Sequence, residues 1–358
     1  MTSSSVTKLI GRWGYFDMKG NIPIPELKPG EEMWLAVVVT SVRERRTQQG
    51  ESFHLANGRN ASGSVSIKVP SQASGEGKPL KPGLWGVVGR LETFQNQPQI
   101  VLSEYRPITV EKYRELQGAE PALPRAYTLD IETIAQPEFR ERAALKLRRA
   151  SRLGKMRPEQ QERYDEAAAA EEEEAYRLGS LAATSGRIVS IAVHVGPVPE
   201  IEGSKPNETE HVFGIAADGL EQPELQALRQ FLTLMSDFDS EIDEIVGHNV
   251  LGFDLPFIFQ RCLVNNIAGA PFVNLSEYNP RGVYDTMLRW WLGSRNRVSL
   301  DDLAWALGLQ SSKTEEVDGS LVFDLYQAGK LAEIREYNLN DVRLTRKVYE
   351  RMVAVWGR

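Results

Sequence analysis

The sequence is poor in the residues that form disulfides and zinc sites. Its 358 residues include one cysteine, Cys262, and four histidines. A single cysteine excludes an intramolecular disulfide, and it leaves no cysteine cluster for a structural zinc ion. Disulfide-free proteins are typical of reducing compartments, so we expect a cytoplasmic protein.

Long apolar runs are also missing. No stretch approaches the ~20 apolar residues that a membrane-spanning helix needs, and residues 1–17 lack the apolar core of a signal peptide. Hydrophobic residues make up 41% of the chain and charged residues 25%, which is typical of soluble globular proteins. We therefore expect no membrane association.

An excess of positive charge, which often marks a nucleic-acid-binding protein, is absent too. The formal net charge is −7, but its distribution is uneven. Residues 1–115 carry 15 Lys and Arg against 11 Asp and Glu, whereas the remaining residues carry 27 against 38. Acidic residues still suit a nucleic-acid enzyme when they hold divalent cations, because the cations reverse the local field. Net charge therefore does not exclude nucleic acid as a partner.

The first third of the chain has the pattern of a small all-β unit. Five short apolar segments between Met33 and Ile108 are separated by Gly, Pro and Asn. Asn57-Gly58, a dipeptide typical of hairpin turns, is predicted to join the second and third strands. Five strands in this pattern favour an OB-like barrel over residues 1–115, followed by a linker at 116–125. Residues 81–108 also resemble the closing half of nucleic-acid-binding OB domains.

Such a barrel binds single strands through basic grooves and through aromatic faces on which bases stack. Three arginines, Arg43, Arg45 and Arg46, lie at the predicted end of the first strand. Phe53 and Phe94 are candidate stacking groups. The alternative is a barrel used for packing or protein contacts, with solvated arginines and with its aromatic residues in the core.

Residues 126–358 alternate between strand and helix patterns and predict an α/β domain. A charged insertion at about 136–180 interrupts the pattern. Residues 138–158 carry eight Lys and Arg against two acids, and residues 159–174 carry eight acids against one Arg. Strong helix formers dominate both halves, which predicts a helical hairpin or arm. It is either a solvated pair of helices or an arm that contacts the nucleic-acid backbone.

Acidic residues mark three separate segments of this domain. Asp130 and Glu132 lie near the end of an apolar strand, and residues at i and i+2 of a strand project from the same face. Two acids on one face repel each other unless a cation lies between them. The alternative is a surface strand with a polar outer face.

The second segment carries Asp254 where a strand passes into a helix, with Asn249 and Phe253 before it. Its alternative role is that of a helix N-cap, which Asp performs well. The third segment carries Tyr337 and Asp341, which share one face of the C-terminal helix because they are four residues apart. An ordinary solvated pair would have the same spacing.

Together these segments resemble the DEDDy exonucleases of the ribonuclease H-like superfamily, especially the proofreading exonuclease domains of family-B DNA polymerases. The motifs are DIET at Asp130–Thr133, N-x-x-x-F-D-x-P-F at Asn249–Phe257 and Y-x-x-x-D at Tyr337–Asp341. The resemblance covers about residues 125–355. It implies a ribonuclease H-like mixed sheet flanked by helices over residues 126–358, after the small all-β barrel.

The resemblance also implies a metal-dependent 3′–5′ exonuclease that uses two divalent cations, Mg²⁺ or Mn²⁺. Two hard cations ~3.5–4 Å apart can serve both the attacking water and the leaving oxygen of a phosphodiester. By resemblance, Asp130 bridges both ions, and Glu132 and Asp341 hold the ion that activates water. Asp254 supports the second ion. Tyr337 orients the attacking water, since a tyrosine pKa of ~10 makes it a poor base at neutral pH.

The implied partner is single-stranded nucleic acid with a free 3′ end, with DNA favoured. Asn249 and Phe253 would line the site near the terminal nucleotide. An exoribonuclease is the first alternative, because carboxylates act on phosphates and do not reveal the sugar. A non-catalytic single-strand-binding or scaffold protein with a relic nuclease fold is the second, and the intact set of carboxylates argues against it. Of the neighbouring polar residues, His248 is expected to be structural and Asp285 to cap a helix.

Overall fold

The computed structural model describes residues 23–47, 49–75, 79–94, 97–150, 169–199, 208–276, 281–294, 296–310 and 321–357, excluding the side chains of 146–150. The described chain divides into two compact units. The first comprises the described residues of Met1–Pro124 and Pro197–Pro206, and the second those of Arg125–Gly196 and Asn207–Arg358. Among the helices of these residues, none combines the length and the apolar character that crossing a bilayer requires.

The first unit is built around a closed five-stranded barrel. Its strands are β1 (Glu32–Arg46), β2 (Ser52–Asn60), β3 (Gly63–Pro70), β4 (Gly83–Phe94) and β5 (Gln97–Pro107). They are hydrogen-bonded in the order β1-β2-β3-β5-β4. β3 and β5 pair in parallel, whereas β1 pairs antiparallel with β2 and β4, as β2 does with β3 and β4 with β5. This barrel resembles an OB-fold, as predicted.

Both faces of β1 are buried, which explains its continuous apolar sequence. One face lies in the barrel core, and its residues are Met33, Leu35, Val37 and Val39. The opposite face packs against Tyr113 of α1 (Val110–Gln117) through Trp34, Ala36 and Val38. The Thr109 side chain caps this helix by accepting a hydrogen bond from the backbone N–H of Lys112.

The turn predicted at Asn57-Gly58 is wrong. β2 continues to Asn60, and the turn lies at residues 61–62, where the Asn60 side chain accepts a hydrogen bond from the Ser62 backbone N–H at 2.9 Å. A Cβ atom on Gly58 would lie 2.5 Å from Cδ1 of Ile67, a buried core residue. Gly58 therefore allows a close approach within the barrel and does not form the turn.

The second unit contains a five-stranded mixed sheet. Its strands are β6 (Arg125–Ala135), β7 (Gly186–Pro197), β8 (Thr209–Phe213), β9 (Glu244–Gly247) and β10 (Val283–Asp285). The order is β10-β9-β6-β7-β8, so β6 lies in the centre. β9 runs parallel to both β6 and β10, whereas β8 runs antiparallel to β7.

The described ends of the charged insertion are helical, and they contact each other and β6. They are α2 (Phe139–Ala150) and α3 (residues 169–177). Arg140 pairs with Glu173 at 2.7 Å, and the Tyr176 hydroxyl donates to the Ala135 carbonyl of β6 at 3.4 Å. The predicted helical character is confirmed in these two parts, and residues 151–168 of the predicted hairpin or arm lie outside the described residues.

Helices cover both faces of the sheet. They are α4 (Glu224–Leu234), α5 (Asp254–Val264), α6 (Thr286–Trp291), α7 (Leu300–Ala306), α8 (Val322–Gln327) and α9 (Leu331–Trp356). α4 and α5 pack on the face that carries Leu129 and Ile131 of β6. α8 and α9 pack on the face that carries Ile134 of β6. This second face also carries Asp130 and Glu132, because side chains alternate along a strand.

Candidate active site

β6 presents its two acids toward α9. Leu129 and Ile131 lie in the core on the other face of the sheet, so the predicted common orientation of Asp130 and Glu132 is confirmed. Glu132 is buried and Asp130 is half-buried. A solvated polar outer face, the alternative for this strand, does not fit these burial values.

α9 completes a group of three carboxylates. The helix packs on the sheet through residues such as Ile334 and Val342, and this packing brings Asp341 to the end of β6. Carboxylate oxygens of Asp130, Glu132 and Asp341 all lie within 4.8 Å of one another. Three closely spaced carboxylate oxygens are the kind of donor set that Mg²⁺ and Mn²⁺ prefer.

Asp254 approaches the same strand from α5. It is 4% exposed, and its Oδ1 accepts a hydrogen bond from the Ile131 backbone N–H at 3.1 Å. Ile131 lies between Asp130 and Glu132 in the chain, so Asp254 adjoins the pair. Asp254 is the first residue of its helix, and Phe253 occupies the cap position. The alternative role of Asp254 as the N-cap is therefore wrong.

Asp285 holds the loop that leads into Asp254. Its carboxylate accepts hydrogen bonds from the backbone N–H groups of Asn249 at 3.1 Å and of Leu251 at 3.0 Å. It also accepts one from the backbone N–H of Leu288 at 3.0 Å, which confirms the predicted cap of α6. Asn249 has a positive φ of 66°, a conformation that Asn tolerates better than most residues. Asp285 thus stabilises the tight turn that leads into Asp254.

The other residues of this loop pack against their neighbours. The His248 Nε2 atom lies 2.8 Å from the Val298 carbonyl oxygen, and its Nδ1 lies 3.0 Å from the Thr286 hydroxyl. Burial lowers the pKa of the imidazole. These contacts agree with the predicted structural role of His248. The partly buried Phe253 ring lies 5.5 Å from the ring of Phe257.

The acidic cluster is electrostatically unfavourable by itself. Burial raises the pKa of Asp130 well above its ordinary value, and repulsion from Asp254, Glu132 and Asp341 adds to this shift. Burial and the same kind of repulsion raise the pKa of Glu132. Burial also raises the pKa of Asp254 to about 8. A divalent cation among these groups would relieve the repulsion that raises the pKa values.

Tyr337 lies beside Asp341, one turn earlier in α9. Burial, together with the charges of Asp341 and Glu132, raises the pKa of the Tyr337 phenol far above its ordinary value. The two side chains are also hydrogen-bonded. The hydroxyl therefore stays protonated at neutral pH, where it can donate a hydrogen bond.

Asn338 is a site residue that the sequence analysis missed. Its Nδ2 donates to Asp130 Oδ2 at 2.7 Å, and its Oδ1 accepts from the Ser190 hydroxyl of β7 at 2.7 Å. Both Asn338 and Ser190 are fully buried. The available signal was a serine in the otherwise apolar segment 188–193, together with the position of Asn338 three residues before Asp341.

The barrel candidates lie in the other compact unit. Arg43, Arg45 and Arg46 are exposed at the end of β1. Arg45 lies opposite Phe53 of β2, and the Lys68 ammonium lies 5.2 Å from the centroid of the Phe53 ring. No pattern in the sequence marked Lys68. Phe94, at the end of β4, is 61% exposed. The structure thus brings basic side chains together with one aromatic ring on the barrel surface.

Residues 181–358 match the family described as "Predicted 3'-5' exonuclease related to the exonuclease domain of PolB". The matched part is just under half of the chain. It contains Asp254, Tyr337 and Asp341, but it begins after Asp130 and Glu132. No curated protein matches the chain.

Solved structures match parts of the chain at 18% identity. One is the solution NMR structure of the second OB-fold domain of replication protein A from Methanococcus maripaludis, covering 25% of this chain and 94% of that domain with a TM-score of 0.20. A replication protein A heterotrimer bound to single-stranded DNA covers 22% and 57%, with a TM-score of 0.18. Asparaginyl-tRNA synthetase from Pyrococcus horikoshii, complexed with asparaginyl-adenylate, covers 25% and 23%, with a TM-score of 0.21.

Proposed function

We propose that the chain is a divalent-metal-dependent 3′–5′ exonuclease that acts on single-stranded nucleic acid, with DNA as the favoured substrate. The observation that carries this proposal is the cluster of Asp130, Glu132 and Asp341, with Asp254 against the same strand. The family match over residues 181–358 supports it. The sheet order β10-β9-β6-β7-β8, with its parallel and antiparallel pairs, also fits a ribonuclease H-like domain.

The donor set fits Mg²⁺ or Mn²⁺. Asp130, Glu132 and Asp341 offer carboxylate oxygens within 4.8 Å of one another, and their repulsion in a partly desolvated space is what a cation would offset. These three residues and Asp254 would hold the ions. Bound cations would supply Lewis-acid activation of water and charge stabilisation at the phosphorus centre.

The side chains around the cluster suit the positioning of water and substrate. Tyr337 keeps its proton and can orient a water molecule toward the scissile phosphate. Asn249 and Phe253, in the loop before Asp254, would contact the terminal nucleotide. The hydrogen bonds of the Asp285 carboxylate to the loop would keep these groups in place.

The barrel would serve as a module that holds the single strand. Arg43, Arg45 and Arg46 would contact phosphates, and Lys68 adds a further cation beside Phe53. Phe53 and the exposed Phe94 would stack on bases. This arrangement combines the two kinds of contact that single-strand binding requires, namely charge and aromatic surface.

A time course on 5′-labelled single-stranded DNA and RNA of matched sequence tests the proposal. The reactions contain Mg²⁺, Mn²⁺ or EDTA, and the Asp130→Asn variant is run beside the wild type. We expect a ladder that shortens from the 3′ end in the presence of metal and is absent in the variant. The faster substrate identifies the preferred sugar.

A Glu333→Gln variant is the matched control, since Glu333 is an exposed carboxylate of the same helix as Asp341. It should cleave like the wild type. Retained binding of either strand without cleavage under any metal would contradict the exonuclease and favour the single-strand-binding alternative.

A further inference from the structure

We infer that Asn338 is a positioning residue for Asp130 and that Ser190 sets the orientation of the Asn338 amide. The inference rests on the proposed function, in which Asp130 is a metal ligand. The three side chains form one connected line from β7 through α9 to β6. Its role is to hold the Asp130 carboxylate in one rotational position within the acidic cluster.

The chemistry of the three groups permits only one arrangement. An ionised carboxylate only accepts hydrogen bonds, so the NH₂ end of Asn338 must face Asp130. The Asn338 oxygen then faces β7, where the Ser190 hydroxyl donates to it at 2.7 Å. Ser190 and Asn338 are both fully buried, so water does not compete for the hydrogen bond between them. A flipped amide would place two acceptors in contact and leave the serine hydroxyl without its acceptor.

This donor matters because the other neighbours of Asp130 repel it. The carboxylate oxygens of Glu132 and Asp341 lie within 4.8 Å of its own, and Asp254 lies against the same strand. The Asn338 amide, in contrast, donates a hydrogen bond to it at 2.7 Å. Loss of the amide would leave the carboxylate free to turn away from the three acids, and a turned carboxylate is misplaced for a cation. Partners that orient a metal ligand typically contribute ~10–100-fold to metal affinity.

The test is a Mn²⁺ titration of the full chain, followed both by thermal shift and by turnover on the preferred single strand. The variants are Asn338→Leu, which removes the amide at similar size, and Ser190→Ala, which removes only the hydroxyl that orients it. Thr345→Val is the matched control. Thr345 lies in the same helix and is equally buried, but it lies outside the acidic cluster.

We expect Asn338→Leu to raise the Mn²⁺ midpoint ~10–100-fold in both readouts, with turnover partly recovered at saturating Mn²⁺. Ser190→Ala should raise the Mn²⁺ midpoint by a smaller factor. If the Asn338 variant does not fold, the Ser190 variant tests the inference by itself. Thr345→Val should keep the wild-type midpoint. A structural role alone would lower the melting temperature of the variants and leave the Mn²⁺ midpoint unchanged, and that result would overturn the inference.

The two readouts separate this inference from the proposed function. A wild type that Mn²⁺ stabilises but that cleaves neither substrate contradicts the exonuclease, while the thermal titration of the variants still decides the role of Asn338. A wild type that Mn²⁺ does not stabilise overturns the metal centre and the inference together.

Discussion

Four carboxylates share a small and partly desolvated space at the end of β6. Burial raises the pKa values of Asp130 and Glu132, and repulsion from Asp254 and Asp341 adds to both shifts. An arrangement of this kind costs stability in the absence of a cation. Strongly perturbed pKa values with identified charged neighbours are frequent at functional sites.

Substitution of Asp254 by Asn should have opposite effects on activity and on metal-free stability. The amide oxygen can still accept the hydrogen bond from Ile131, but the charge is gone. We expect cleavage to fall at least ~100-fold, since a lost ligand costs no less than a lost orienting partner. In EDTA at pH 9 the melting temperature should rise by ~2–4 °C for each kcal/mol of relieved repulsion. Differential scanning calorimetry measures the melting temperature, and the cleavage ladder measures the activity. A lower metal-free melting temperature in the variant than in the wild type would contradict the electrostatic account.

Tyr337→Phe should slow turnover without changing its pH dependence. The ring would keep its packing against the apolar cluster that contains Ile134 and Ile334, and only the hydroxyl beside Asp341 is removed. Because burial and the charge of Asp341 raise the pKa of the phenol, the hydroxyl would orient water instead of removing a proton. We expect kcat to fall ~10–100-fold through misplacement of the attacking group. The pH profile of kcat decides the role: a profile that loses its wild-type pH dependence would identify Tyr337 as a base.

At the scale of elements, a buried ion pair fixes α5 against α4. Arg261 donates to the Glu224 carboxylate at 2.6 Å, and both side chains are less than a tenth exposed. Glu224 also accepts a hydrogen bond from the Ile188 backbone N–H of β7 at 2.8 Å, and Arg261 donates to the Ala183 carbonyl at 2.9 Å. The network joins two helices to the sheet, and one of those helices begins at Asp254.

Arg261→Met should destabilise the second unit strongly, because it leaves the Glu224 charge buried without its partner. We expect a loss of ~3–5 kcal/mol in the free energy of unfolding. The double variant Glu224→Gln with Arg261→Met should lose less than the sum of the single variants. Urea denaturation followed by circular dichroism measures these values. Strict additivity would show that the two side chains do not act as a pair.

At the scale of the whole molecule, the barrel and the acidic unit would contribute to separate steps. Phosphate contacts of Arg43 and Arg45 would add to affinity, whereas the carboxylates would act on the bond that breaks. Arg43→Ala with Arg45→Ala should therefore weaken single-strand binding and reduce the salt slope by ~0.7 for each lost contact. Turnover at saturating substrate should stay near the wild-type value.

Fluorescence anisotropy at several salt concentrations measures this effect. Arg90→Ala is the control, since Arg90 is an exposed arginine within β4. It lies opposite Glu32 at the beginning of β1, away from the arginine-rich end of that strand. Equal affinity and salt slope in the double variant and in the control would mean that the arginine-rich end of β1 does not bind the strand.

Metal and pH should act together on the stability of the chain. The pKa of Asp254 is about 8 in the folded protein against an ordinary 3.8, so the folded state favours the protonated group and loses stability as pH rises between these values. Cations bind the deprotonated carboxylates and offset this loss. The difference in melting temperature between Mg²⁺ and EDTA should therefore grow from pH 5 to pH 8. A constant or shrinking difference would contradict binding at these carboxylates.

The sequence by itself determined the features that depend on local periodicity. A strand repeats every two residues, so Asp130 and Glu132 share a face. A helix returns to the same face after four residues, so Tyr337 and Asp341 are neighbours. Local chemistry also predicted the cap that Asp285 provides for α6.

Only the tertiary structure decided which distant residues meet. Asn338 contacts Asp130 across 208 positions and Ser190 across 148, and no local pattern marks either pair. Their contact depends on how the apolar side of α9 packs on the sheet, which is a property of the whole core. The same reason explains Gly58. The Asn57-Gly58 dipeptide favours a turn locally, but Gly58 lies within a strand, where the buried side chain of Ile67 occupies the space that a Cβ atom would fill.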